Sequence, residues 1–222
     1  MCGRYTLTLD PAELQDLFEL AQPAPADLAP RYNVAPSQPV AVIANGSERK
    51  LELFRWGLIP SWAKDPKIGN QLINARSETL AEKPAFRTAL KRRRCLILAD
   101  GFYEWKRQGQ RKTPMYFQLA QGQPFAFAGL WETWTGPDQV PVRSCTIITT
   151  RANPVVEPVH DRMPVILAPA AYGDWLSAGE LPAAQIQAYL QPTGAPMQVF
   201  AVSPLVNDPS HDTPECVRPI NV

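Results

Sequence analysis

The sequence predicts an α+β fold: a single domain over residues 1–222, with an antiparallel, barrel-like sheet and helices at its periphery. Three observations predict it. Short β-branched and aromatic runs outnumber helical patterns and mostly follow one another directly, which favours antiparallel neighbours over long crossovers. The 222 residues include 24 prolines, about twice the usual share of roughly 5%, and proline suits short strands and rigid loops better than long helices. No repeat, low-complexity tract or linker divides the chain. A chain of this length can bury roughly 70% of its unfolded surface in a core without staples.

Taken in order, Asp10-Pro11-Ala12-Glu13 is a helix start, with Asp as N-cap, Pro at the first position and Glu at the third. Leu14, Leu17, Phe18 and Ala21 give that helix one apolar face. Pro23 to Pro30 is a loop. A strand over Val40–Ala44, the turn Asn45-Gly46 and a return strand over Leu51–Trp56 form a hairpin. Gly57 to Asn70 is a loop carrying Trp62, and Ile73–Arg76 is short and extended. A helix is expected over Ala81–Lys91, ending in the basic run Lys91-Arg92-Arg93-Arg94, whose bland reading is a solvated cap on the helix dipole. Strands follow at Cys95–Ala99 and Phe102–Lys106 around an Asp100-Gly101 turn, then at Met115–Leu119, Phe125–Trp131 and Ser144–Thr149. Asn153-Pro154 opens a short helical segment toward His160, and Met163–Leu167 is extended. Helices at Pro169–Leu176 and Pro182–Leu190 and a strand at Gln198–Val202 complete the pattern.

Composition excludes several classes. With 45% apolar and 19% charged residues the chain is globular. The net charge of +1 gives no global field for nucleic acid, so a polyanion site has to be a local cluster. Cys2, Cys95, Cys145 and Cys216 form no CxxC pair and there are only 2 histidines, so neither a metal site nor a cofactor is expected. Cys95 and Cys145 read as reduced core thiols of a cytosolic protein. No apolar run is long enough for a membrane span, and Arg4 and Asp10 interrupt any signal peptide. The expectation is a cytoplasmic protein with no membrane partner.

Cys2 directly follows Met1. Loss of Met1 frees an α-amine two atoms from a thiol. At neutral pH that amine is unprotonated roughly two orders of magnitude more often than a lysine. It can condense with an aldehyde to an imine, and the thiol can then close a five-membered thiazolidine. Until then the amine is capped as an amide.

Glu104 lies in the aromatic run Gly101-Phe102-Tyr103-Glu104-Trp105, where Phe102 and Glu104 share one strand face and Tyr103 and Trp105 the other. A carboxylate buried among aromatics is favoured in its neutral form and can serve as a general acid. The alternative is a rim residue paired with Lys106 or Arg107. His160, in His160-Asp161-Arg162-Met163-Pro164, suits proton transfer or a hydrogen-bonded loop equally, and His211 reads as a surface residue. Asn74, polar between Ile73 and Ala75, must find hydrogen-bond partners. Arg4, Arg76 and Arg162 suit a phosphate if they converge, or structural pairing with Glu78, Asp100 or Asp161 if they do not.

Together, Met1-Cys2-Gly3-Arg4-Tyr5, Arg31-Tyr32-Asn33-Val34-Ala35-Pro36, Trp56-Gly57-Leu58-Ile59-Pro60-Ser61-Trp62, Ile73-Asn74-Ala75-Arg76-Ser77-Glu78-Thr79, Asp100-Gly101-Phe102-Tyr103-Glu104-Trp105 and His160-Asp161-Arg162-Met163-Pro164 resemble the SOS-response-associated peptidase (SRAP) family. The six motifs fall in the expected order, and after residue 168 the match loosens to Val206-Asn207 and Pro214-Glu215-Cys216. The resemblance implies a monomer that senses abasic sites in single-stranded DNA and forms a covalent thiazolidine cross-link through Cys2 after Met1 is removed, with autopeptidase activity. In a bacterium it implies association with the nucleoid and, in principle, with replication proteins. It assigns catalysis to Cys2, Asn74, Glu104 and His160. DNA contacts fall to Arg4, Asn33, Pro36, Trp62, Arg76, Ser77, Trp105 and Arg162, with Trp62 or Trp105 stacking on a base. Two other readings stay open on the residues alone: an N-terminal-nucleophile hydrolase acting on amides, and a non-covalent reader of modified DNA.

Overall fold

The computed structural model describes residues 2–25, 28–46 and 48–220. Met1, part of the Pro23–Pro30 loop and the last two residues therefore lie outside the described residues. In chain order the strands are β1 (Tyr5–Leu7), β2 (Arg31–Val34), β3 (Pro39–Ala44), β4 (Leu51–Trp56), β5 (Asn74–Arg76), β6 (Arg94–Ala99), β7 (Gly101–Gln108), β8 (Arg111–Leu119), β9 (Phe125–Thr135), β10 (Pro141–Arg151), β11 (Arg162–Pro164), β12 (Ile166–Leu167) and β13 (Met197–Ala201). The α-helices are α1 (Pro11–Leu17), α2 (Arg87–Arg92), α3 (Tyr172–Trp175) and α4 (Ala183–Tyr189).

The pairings β10–β4, β4–β3, β3–β6, β6–β9 and β9–β10 close a five-stranded barrel. β5 and β11 extend it along β10, and β12 along β9. A second sheet runs β13-β8-β7-β1-β2. The expected antiparallel, barrel-like sheet therefore forms, with two parallel pairings, β10 beside β4 and beside β5.

Strand alternation divides the core into layers. Val40 and Val42 of β3 join a cluster with Tyr5, Phe102 and Phe117 of the second sheet. Ala41 and Ile43 of the same strand join a cluster with Leu14, Leu90 and Trp175 of the helices. Each such large side chain contributes about 1.5–3 kcal/mol by leaving water. Cys95 and Cys145 are buried free thiols, as expected.

Asp100-Gly101 is not a hairpin turn. It is where the chain leaves the barrel for the second sheet, because β6 and β7 belong to different sheets. The Asp100 carboxylate accepts from the Thr8 backbone N–H at 2.6 Å and from the Thr6 hydroxyl, which also meets the Tyr116 hydroxyl at 2.9 Å. Gly101 is required there, because a Cβ would sit 2.1 Å from the Tyr116 hydroxyl oxygen.

Other expectations need correction. The Asp10 capping box forms, but α1 stops at Leu17, which is 51% exposed; Leu14, Phe18 and Leu20 make the buried face. The helix expected over residues 81–91 shrinks to α2, since Pro84 disfavours the helical conformation at Lys83. The segment from Pro154 to Val159 is a series of turns. The basic run is a solvated cap only in part: Lys91 and Arg92 are exposed in the last turn of α2, but Arg94 is fully buried and donates to the carbonyls of Leu90, Lys91, Trp175, Ser177 and Gly179. Among the described residues, no helix is long and apolar enough to cross a membrane.

Candidate active site

The second sheet delivers the chain's start to the barrel. β1 lies between β2 and β7, and the Tyr103 N–H donates to the Arg4 carbonyl at 3.0 Å. This seats Cys2, fully buried, in the same apolar cluster as Phe102 and Trp56. Its thiol donates weakly to the Arg4 carbonyl at 3.9 Å. Burial pushes the thiol well above its ordinary pKa, and the nearby Glu104 carboxylate pushes it further. Asn74 approaches from the barrel side. β5 pairs it with Ile147 of β10, and its Nδ2 donates to the Cys2 carbonyl at 2.8 Å. Its Oδ1 is buried and accepts no hydrogen bond from the described residues.

Glu104 is only 4% exposed, so it is not a rim residue. The expected alternation holds. Phe102 packs in the Cys2 cluster, while Tyr103 packs with Val202, Val206 and Cys216 and receives Trp105 at the edge. His160 follows the turns after β10. Its Nδ1 accepts the Arg162 backbone N–H at 2.9 Å and lies 3.0 Å from an Asp161 oxygen. These two contacts oppose each other: the amide needs a bare Nδ1, whereas the carboxylate favours a protonated one. The amide prevails, because the Asp161 side chain is 87% exposed and solvated. That assigns the neutral ring's proton to Nε2. Glu104 and His160 line one open cavity of about 530 Å³ together with Trp105, Arg107, Lys112 and Asn207.

None of Arg4, Arg76 and Arg162 lines this cavity. Arg4 donates to the Asn33 side chain at 2.7 Å and to the carbonyls of Val206 and Asn207, and its guanidinium lies 5.9 Å from the Trp105 ring. Arg162 makes a two-pronged pair with Glu78 at 2.6 and 2.9 Å and also donates to the Thr149 carbonyl. The Arg162–Glu78 pair is the structural pairing the sequence left as an alternative, whereas Arg4 takes partners it did not name. Asn33 is fully buried and donates to three carbonyls of the 206–211 segment. Arg76 and Trp62 are exposed, and Pro36 and Ser77 are half-buried.

The sequence named Arg107 only as a possible partner of Glu104 and did not single out Lys112. Asn207 appeared only in the loosened Val206-Asn207 match. It reaches the cavity because the C-terminal segment folds back over Arg4 and Asn33, where its Oδ1 accepts from the Trp105 indole at 2.7 Å. Among the described residues, no group of three or more His, Cys, Asp and Glu could hold a metal ion.

Comparison with known proteins identifies the family. The profile of the SOS response associated peptidase (SRAP) family matches residues 1–209. Abasic site processing protein YoqW of Bacillus subtilis is 48% identical over 222 residues, covering 98% of this chain and 99% of that protein. Abasic site processing protein HMCES of Xenopus tropicalis is 33% identical over 264 residues, covering 99% of this chain and 78% of that protein. A crystal structure of a Bacteroides thetaiotaomicron protein shares the fold with a TM-score of 0.90 at 24% identity, over 99% of this chain and 100% of that one. One from Bordetella bronchiseptica gives 0.76 at 30% identity, over 91% of this chain and 100% of that one. With a family match over nearly its whole length and relatives at close to half identity, the chain belongs to the SOS response associated peptidase family.

Proposed function

We propose that this protein processes abasic sites in single-stranded DNA by cross-linking itself to them through Cys2, as a monomer. The reading rests on the relatives named abasic site processing proteins and on one observation above the rest: Asn74 holds the Cys2 carbonyl, Glu104 is near enough to act on the Cys2 thiol, and Glu104 shares its cavity with His160.

Hydrolysis of the Met1–Cys2 amide frees the amine. The amine adds to the C1′ aldehyde of the ring-opened sugar, and loss of water gives an imine. The thiol sulfur then adds to the imine carbon while its proton passes to nitrogen, closing the thiazolidine. The net change is aldehyde plus aminothiol giving ring plus one water. Glu104 is the proton carrier for ring opening and dehydration, and His160 supplies a proton at the imine stage and in reversal. Asn74 holds the Cys2 carbonyl, and so the amine, in register. Arg76, Ser77, Trp62, Pro36 and Trp105 are the DNA contacts this reading retains, and Arg4, Asn33 and Arg162 support them from behind.

The amide-hydrolase alternative needs a thiolate as the leading nucleophile. Burial and the Glu104 charge both disfavour one. In the cross-linking sequence the amine leads and the thiol follows within the same residue, so a neutral thiol is tolerated.

Mass spectrometry of the purified protein before and after mixing with an abasic oligonucleotide tests this. The expected result is loss of one methionine, then a denaturation-resistant adduct whose mass is protein plus DNA minus one water. A wild-type yield of adduct from Cys2→Ala overturns it. Retention of Met1 by Glu104→Gln supports self-cleavage, and its removal at the wild-type rate assigns that step to another enzyme.

A further inference from the structure

Four cations, Lys106, Arg107, Arg111 and Lys112, occupy seven consecutive positions around a Gln108-Gly109-Gln110 tip. They do not read as a basic run because the turn divides them. Folding reunites them. β7 and β8 pair so that Arg107 stands directly opposite Lys112, and Gln108 opposite Arg111. Gly109 takes the left-handed conformation that closes the tip, at φ +60°. Like charges directly opposite on an antiparallel pair repel. Arg107 and Lys112 are exposed, and neither joins any ion pair found among the described residues. A hairpin that holds two facing, exposed cations outside the ion pairs found among the described residues can take an anion from outside.

The position of that anion follows from the register. Trp105 and Arg107 are two residues apart and so share a face, and both line the cavity that Glu104 and His160 also line. There Asn207 Oδ1 accepts from the Trp105 indole N–H, which leaves the Asn207 Nδ2 hydrogens as donors at the cavity. Two cations, an amide donor and an aromatic ring set side by side match a nucleotide, with phosphate on the cations and base on the ring.

We propose that the β7–β8 hairpin is a phosphodiester-binding arm, with Arg107 and Lys112 taking the backbone of the single strand beside the residue held at Glu104 and His160. This rests on the abasic-DNA reading for the identity of the strand. The net charge of the chain is +1, so this local cluster, and not a global field, would supply the attraction.

The test is fluorescence anisotropy with a labelled single-stranded oligonucleotide carrying a tetrahydrofuran abasic analogue, which has no aldehyde and cannot cross-link. Arg107→Gln/Lys112→Gln is expected to weaken binding roughly tenfold near 0.1 M salt and to lower the slope of log affinity against log salt by about 1.4, at about 0.7 per lost phosphate contact on a single strand. Removing facing like charges should leave the melting temperature at or above wild type, so lost binding will not reflect lost folding. Arg107→Lys/Lys112→Arg, which keeps both charges, should restore most of the affinity. Unchanged affinity and slope in the Gln variant overturn the proposal, as does wild-type binding that is indifferent to salt. Cross-linking is scored separately on an aldehyde-bearing oligonucleotide. A wild-type protein that binds but never cross-links ends the covalent reading and leaves the arm standing.

Discussion

The side-chain amide of Asn74 donates to the Cys2 carbonyl across 2.8 Å and thereby ties the barrel to the first described residue of the chain. The bond fixes the plane of the peptide that follows Cys2. It therefore fixes where the Cys2 nitrogen and sulfur stand relative to Glu104. Removing a buried donor from its acceptor costs about 1–3 kcal/mol. Asn74→Ala is accordingly expected to slow cross-linking by roughly fivefold to a hundredfold. Because Asn74 Oδ1 is itself buried without a hydrogen bond from the described residues, the substitution also removes an unsatisfied acceptor, so global stability should fall less than the rate does. Single-turnover gel kinetics beside urea titrations separate the two, and equal losses in both would make Asn74 a packing residue only.

Buried thiols predict alkaline weakness. Cys2, Cys95 and Cys145 all have their pKa pushed up, in each case chiefly by burial. An unfolded thiol ionises near 8.5, while the folded thiols stay protonated. Stability is therefore fully present below about pH 8.5 and is lost as pH rises from there toward the folded values. Each thiol contributes a slope of about 1.4 kcal/mol per pH unit, and the three together about 4. Urea midpoints between pH 7 and 10 read this directly. Cys95→Ala and Cys145→Ala each cost stability through the cavity they leave, so the readout is the slope, which should fall by about a third per thiol removed.

The Arg162–Glu78 pair is asymmetric in burial, with the Arg side chain 14% exposed and the Glu 52%. The Arg162 hydrogen bond holds the Glu78 carboxyl below its ordinary range. A depressed carboxyl contributes stability above its unfolded value near 4.3, and that contribution is lost as pH falls through the folded value. Half-exposure to solvent keeps it near or below about 1 kcal/mol. Glu78→Ala leaves a nearly buried guanidinium without its carboxylate, whereas Arg162→Ala leaves an exposed carboxylate in water. Glu78→Ala should therefore be the more destabilising of the two at pH 7 in urea titrations. It should also flatten the acid limb between pH 5 and 3.

The sequence made the strands, the Asp10 cap and the face shared by Phe102 and Glu104 legible, because each is written in local spacing. Sheet membership was not. Asp100-Gly101 looks like a hairpin turn, yet it carries the chain between sheets, as does the link from β8 to β9. What decides this at Gly101 is Tyr116, fifteen positions downstream, through the absence of a Cβ. The candidate positions Cys2, Asn74, Glu104 and His160 were singled out through motifs. The setting of Arg4 and Asn33 was not, since their partners lie near residue 206, where the motif match had loosened. The two basic clusters show the same limit from opposite sides. The contiguous run at 91–94 ends in an arginine that folding buries, and the discontinuous set at 106–112 becomes a cluster only when the hairpin closes.

Arg94 carries the last prediction. Its guanidinium donates to five backbone carbonyls, two at the end of α2 and three in the 175–179 segment, and so satisfies helix-end and loop acceptors that have no other role for the chain to offer them. Hydrogen bonds from a charged donor are worth about 1.5–3 kcal/mol each, with strong non-additivity inside one network. Arg94→Met, which keeps the length and the contact with Trp175 but donates nothing, should lower stability by more than about 3 kcal/mol. Arg94→Lys should recover only part of that, because a single ammonium has three donors and no planar fork to span both segments. The loss should concentrate in α2 and the 175–179 loop, so hydrogen exchange at their amides should accelerate in Arg94→Lys before that of β9 or β10. A uniform acceleration across the barrel would instead make Arg94 part of the global core.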